Sequence, residues 1–231
     1  MMRQKNISAC ILSFVISLLI IGTTTASAQY RRKKVEIVMP DTVPFFNGFQ
    51  VSADLLGAGM MHLGSYGQYE GALRLNLRDR YFPIVELGYG KADHTDDGTQ
   101  LNYKTKAPYG RIGLDLNLMK DKHDDYRLLA GLRYGFTSFK YDVSHPTLED
   151  PVWGDRVEFI AEGVQAKYHW LEVVFGVDAT IWGPLHLGWS VRYRNRLSHD
   201  PGELDNVCYV PVYGKSGKSV LVGTFNVIID I

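Results

Sequence analysis

The chain has 231 residues, and its 25 Lys and Arg balance 25 Asp and Glu, so it is formally neutral at pH 7. That balance leaves no electrostatic footprint for nucleic acid. Beyond the N-terminus no apolar stretch reaches the roughly 20 residues of a spanning helix, so residence in a membrane would require a closed barrel, the other structure that satisfies every backbone group in lipid.

Arg3 and Lys5 precede an uncharged apolar run from Ile7 to Ile21, followed by small residues ending in Ala26-Ser27-Ala28. This layout predicts a secretory signal over residues 1–28 and export of the remainder. Only Cys208 then remains, which excludes an intramolecular disulfide. Residues 29–46 carry the basic run Arg31 to Lys34, then Pro40 and Pro44, and read as an irregular, solvated lead-in.

Residues 47–231 read as one domain with a period of 2. Eight strands are predicted: Gly48 to Met60, Gln68 to Leu77, Phe82 to Lys91, Tyr109 to Leu118, Tyr126 to Lys140, Tyr168 to Ile181, Leu185 to Arg196 and Val220 to Ile231. Each is about as long as a tilted transmembrane strand, which needs roughly 9–11 residues. In the fourth, Ile112, Leu114, Leu116 and Leu118 share a face opposite Arg111, Asp115 and Asn117. The fifth and seventh alternate in the same way: the polar face of the fifth holds Arg127, Gly131, Arg133 and Gly135, and that of the seventh holds Gly188, Ser190, Arg192 and Arg194.

Connections alternate too. Arg78 to Tyr81, Met119 to Asp125 and Trp182 to Pro184 are short, whereas Ala92 to Pro108, Tyr141 to Lys167 and Leu197 to Ser219 are long. Short turns at one end and long loops at the other are the asymmetry of outer-membrane barrels, with the turns in the periplasm. The expected fold is therefore all-β: an eight-stranded antiparallel up-and-down β-barrel of outer-membrane type.

A soluble lipocalin-like barrel would show the same alternation turned inside out. The polar face carries Arg rather than Lys, together with Glu70, Glu86, Asp115, Glu172 and Asp178. Planar guanidinium forks opposite carboxylates suit a confined interior of paired charges, and Gly88, Gly131, Gly135 and Gly188 leave room for them. Tyr89, Tyr126, Tyr134, Phe136, Trp189 and Tyr193 on the apolar face suit interfacial girdles. These features predict the polar face inside, with Glu70, Arg74, Arg111, Arg133, Glu172 and Arg192 forming a structural ion-pair network.

The stretches Glu86 to Tyr89, Gly131 to Phe139, Trp170 to Val177 and Leu187 to Ser190 resemble an uncharacterised Bacteroidota family of small outer-membrane-type barrels. The resemblance runs from about Gln50 to the C-terminus. It implies fold and location, with no assigned chemistry, and an outer-membrane protein of this kind would meet outer-membrane lipid and the barrel-assembly machinery. The last strand ends in Ile231 rather than the aromatic residue common in such barrels.

Motifs for chemistry are weak. Gly217-Lys218-Ser219 lacks the glycine a phosphate loop needs at Val212 and leads into a strand. Asp93, Asp96, Asp97 and Gly98 lack calcium-loop spacing and read as a hairpin tip. Ser144-His145 and Ser198-His199-Asp200 hold the residue types of a hydrolase without a pattern that assembles them. No catalytic residue, metal or cofactor is called for. The leading expectation is a non-enzymatic barrel whose loops meet a partner or envelope component through Trp153, Phe159, Tyr209 and Tyr213, since long loops on a rigid scaffold commonly carry binding. A rim-located lipid-modifying or hydrolytic enzyme and a secreted or periplasmic ligand-binding barrel remain as alternatives.

Overall fold

A computed structural model describes residues 43–120, 125–149, 154, 156–204 and 207–231. The signal segment, most of the lead-in and Trp153 lie outside the described residues. In chain order the elements are β1 (Phe46–Asp54), α1 (Leu55–Leu63), β2 (Tyr66–Leu77), β3 (Tyr81–Thr95), β4 (Asn102–Asn117), β5 (Tyr126–Glu149), β6 (Arg156–Trp182), β7 (Leu185–Asp200), β8 (Tyr209–Val210), β9 (Gly214–Lys215) and β10 (Ser219–Asp230).

Eight strands close into an antiparallel barrel in the order β1-β10-β7-β6-β5-β4-β3-β2. The seam is the pairing of the first strand with the last, from Gln50 against Asp230 to Asp54 against Asn226. Closure leaves no sheet edge in the ring, so backbone groups in the paired stretches are satisfied without water. The tight links β2–β3, β4–β5 and β6–β7 gather at one end, the turn end. At the opposite loop end β8 and β9 form a small hairpin of their own within the β7–β10 connection.

Two sequence expectations are corrected. The first strand stops at Asp54, whose side chain accepts the Leu56 N–H at 3.1 Å and caps α1, while Gln68 Nε2 donates to its other oxygen at 3.0 Å. Leu, Ala and Met are good helix formers, and with no polar residue between Leu55 and Met61 the strand and helix periods look alike.

The long loops are also largely strand. β3 and β4 continue to a tip at residues 96–101, and β5 and β6, at 24 and 27 residues, run far past the segments read for them. The cause is a change of chemistry at constant phase. On β4, Tyr103, Ala107 and Tyr109 are buried inside with Lys104 and Lys106 exposed outside, whereas further along Arg111 and Asp115 are buried inside with Ile112, Leu114 and Leu116 exposed outside. β5 and β6 change over at the same level. There Phe139, Tyr141, Ala166 and Tyr168 are buried opposite Lys140, Asp142 and Lys167, and below them Arg133 and Glu172 are buried opposite Leu132, Tyr134 and Val173.

Candidate functional site in the barrel lumen

Inward positions of the turn-end half come from every strand by parity, so one polar residue type repeated along each strand builds a charged interior. Arg111 on β4 is its hub: its guanidinium donates to Glu172 at 3.1 Å, ion-pairs with Glu70, and lies 2.7 Å from Glu86. Arg192 on β7 reaches across the lumen to Glu70 at 3.3 Å and Glu86 at 3.2 Å. Arg133 bridges Glu86 and Asp115, and Arg74 bridges Asp115 at 3.2 Å and Asp178 at 2.7 Å. Arg194 Nε lies 2.9 Å from Glu172.

Five arginines thus meet five carboxylates in a space closed to solvent, and the charges cancel. The six residues singled out from the sequence all lie in this cluster. Glu86, Asp115, Asp178 and Arg194 complete it. Their face was readable from alternation, but their partnerships depend on which strands close across the lumen. Phe82, fully buried among the charges, has the Arg74 and Arg127 guanidinium carbons 6.0 and 5.7 Å from its ring centre, within the range of cation–π attraction.

Close packing in this half depends on glycine. A side-chain carbon at Gly131 would overlap the Asp115 carboxylate, and one at Gly135 would overlap the indole of Trp170. Trp170 is itself held by a 2.6 Å hydrogen bond from its Nε1 to Glu172. Gly135→Ala is expected to destabilise the barrel by about 1–3 kcal/mol, the usual cost of overpacking, read as a lower urea midpoint of the folded protein in detergent. An unchanged midpoint would mean the indole is free to move. The charged half retains a cavity of about 20 Å3 beside Arg74, Glu86 and Asp115, room for about one water.

The loop-end half is filled differently. The β7–β10 connection folds inward as a plug, burying Val207, Val210, Val212 and Tyr213 against Tyr103, Phe139, Tyr141, Tyr168 and Trp170. Tyr103 Oη donates to the Tyr209 carbonyl at 2.7 Å, and Tyr168 Oη lies 2.8 Å from Ser216 Oγ. Arg194 joins the halves by donating to the carbonyls of Val212 and Tyr213. Val212 takes φ 69°, a region that β-branched residues avoid, and its buried side chain and anchored carbonyl hold it there.

The plug overturns part of the expected loop surface. Tyr213 is fully buried, its ring edge-on to Trp170 at 5.8 Å, and cannot meet a partner. Tyr209 is half-buried beside Tyr66, at 5.7 Å, and burial pushes its phenol up to about 12. Both belong to the interior packing because the connection turns into the mouth instead of away from it. Phe159 is half-buried on β6, paired with His145, and its neighbour Ile160 is exposed.

The other candidate motifs stay apart. The Thr99 N–H, the Thr99 hydroxyl and the Gly98 N–H all donate to the Asp96 carboxylate and hold it below its ordinary range, so this group caps its own turn. No group of three metal-ligating side chains occurs among the described residues. His145 accepts from the Thr147 N–H, and the ring of His199 stands against Tyr168. No hydrogen bond joins either imidazole to Ser144 or Ser198 among the described residues.

Fold and lumen together define an eight-stranded barrel with a charged interior under an apolar plug. The chain belongs to the family described as Domain of unknown function (DUF6048), which it matches over residues 8–230. No curated protein matches its sequence. Among solved structures it is similar to CarO2 of Acinetobacter baumannii, at 13% identity and a TM-score of 0.41, covering 81% of this chain and 99% of that one. It is also similar to a major outer membrane protein of Thermus thermophilus, at 15% identity and a TM-score of 0.40, covering 80% and 98%. A. baumannii CarO matches at 15% identity and a TM-score of 0.37, covering 84% and 100%.

Proposed function

We propose that the protein is a non-conducting, non-enzymatic outer-membrane barrel that holds the β5–β6 hairpin above the bilayer, where it meets a partner or envelope component. The observation that carries this reading is the inversion along β4, β5 and β6. A barrel in water buries apolar side chains, as the loop-end half does; a barrel in lipid must turn them outward, as the turn-end half does. One wall that does both has two solvents outside it.

On β6 the outward apolar run from Leu171 to Ile181 is roughly 10 residues, about the span of a tilted transmembrane strand. Among the described residues the charge network fills the turn-end lumen down to a cavity of about 20 Å3 and the plug fills the loop end, which supports a non-conducting barrel over a lipocalin-like ligand chamber.

The decisive test is heat-modifiability. Outer membranes from cells expressing the full chain are run on a detergent gel with and without boiling, and a mobility shift of protein in that fraction is the expected result. Recovery as soluble protein without a shift would overturn the reading. In a Cys208→Ser background, Ile160→Cys is expected to react with a membrane-impermeant maleimide on intact cells. Silence there, with labelling after lysis, would place the hairpin inside the envelope. Current steps in a planar bilayer would refute the sealed lumen.

A further inference from the structure

We infer that a row of lysines on the outer wall, immediately beyond the apolar belt, seats the phosphate of a lipid headgroup from the surrounding leaflet. The inference rests on the membrane reading above and deepens it. Lys91 on β3 and Lys106 on β4 are register partners, and Lys140 on β5 precedes Tyr141, the partner of Thr105, where the β4–β5 pairing lapses. All three point outward and are exposed, and none has an ion-pair partner among the described residues. Directly opposed like charges on one sheet face repel, so the row is unfavourable by itself and is relieved by an anion lying across it.

Two acids, Asp93 and Asp142, line the same cleft and leave its four lysines, Lys91, Lys104, Lys106 and Lys140, in excess. Asp93 sits 3.8 Å from Lys104, and Asp142 accepts the Gly163 N–H at 2.7 Å.

The wall is also shaped to receive such a group. Pairing between β4 and β5 lapses between Thr105–Tyr141 and Tyr109–Thr137, where Pro108 has no N–H to give. Thr105 Oγ1 donates to the Lys140 carbonyl and Thr137 Oγ1 to the Pro108 carbonyl, which frames the gap. A cleft of about 730 Å3 opens there, lined by the lysines together with Ala107, Pro108 and Phe139, within the usual size for small-ligand sites.

Its position selects the ligand. On the same three strands the next outward residues toward the turn end are Tyr89, Pro108 and Ser138, with Phe136 one outward step further along β5, the level at which acyl chains give way to headgroups. A phosphate there is carried by a lipid whose tails lie along the belt, and the apolar lining accepts the start of those tails.

The test uses the folded full barrel in dodecyl maltoside micelles, titrated with lipid A bearing its phosphates, with dephosphorylated lipid A, and with inorganic phosphate. Bound lipid is read by native mass spectrometry. Phosphorylated lipid A is expected to bind at least about tenfold tighter than the dephosphorylated form, an advantage that falls as NaCl rises. The combined Lys91→Gln, Lys106→Gln and Lys140→Gln variant is expected to abolish that preference. It should keep its gel shift and melt in lipid-free micelles no lower than the parent, because a repulsive row has been removed.

Equal binding of the two lipids, or full binding by the variant, overturns the proposal, as does a lower lipid-free melting temperature, which would make the lysines structural. Inorganic phosphate that displaces the lipid at equal concentration overturns the lipid source in favour of a soluble anion. A parent chain without the mobility shift overturns the membrane reading itself, a failure distinct from loss of lipid preference in a shifted barrel.

Discussion

Replacing Arg111 with methionine is expected to lower the stability of the barrel by at least about 3–5 kcal/mol, the cost of stranding a buried charge. Arg111 is buried and contacts Glu70, Glu86 and Glu172 together, so its loss leaves a net negative interior that Arg133, Arg192 and Arg194 cannot fully compensate from their present positions. A figure of this size is a large part of the roughly 5–15 kcal/mol that holds a typical domain folded. The fraction retaining fast mobility on unboiled gels, followed against urea, measures it.

Arg111→Lys should fall between, since an ammonium keeps the charge and loses the planar fork. Arg111→Met combined with Glu172→Gln should recover part of the loss, because one carboxylate then needs no partner. Lys104→Ala, which removes only the exposed pair with Asp93, should cost less than about 1 kcal/mol. Equal effects from Arg111→Met and Lys104→Ala would mean that the lumen is wet.

What could be read from the sequence follows the physics of the two halves. In the turn-end half, apolar-out and polar-in alternation set strand phase and facing together, and the choice of Arg over Lys marked the confined side. The loop-end half kept the same phase but exchanged the chemistry of its faces, so Tyr103 to Pro108 and Tyr141 to Val143 looked like polar loops punctuated by aromatics. Nothing local distinguishes a strand in water from a loop when its outward residues are lysines.

Leu55 to Met61 carried the opposite ambiguity, being without a polar residue that could have separated the two periods. Within the expected network the specific pairing of Arg192 with Glu70 had no signal, and neither did the contact of Arg194 with the carbonyls of Val212 and Tyr213. They join segments far apart in sequence, and the latter pair depends on backbone groups whose direction no side chain announces. The loop-contact reading of Tyr213 failed for that reason.

Trp170→Ala tests whether the two halves are coupled. The residue is fully buried at the level where the charged lumen meets the plug, hydrogen-bonded to Glu172 on one side and edge-on to Tyr213 on the other. Truncation leaves a cavity and removes a donor to a buried carboxylate, for an expected loss of about 3–5 kcal/mol from the cavity alone, with more where Glu172 finds no other donor.

Trp170→Phe keeps most of the ring and should lose about 1.5–3 kcal/mol, the range for a hydrogen bond to a charged group. Replacing residues 203–216 with a short Gly-Ser linker separates plug from wall. Strand pairing closes the ring without those residues, so the gel shift should survive, while the uncovered faces of Phe139, Tyr141 and Tyr168 should bind the dye ANS. If Trp170→Ala then costs as much in the linker variant as in the parent, the indole acts through Glu172 alone; a smaller cost there assigns the difference to its contact with Tyr213.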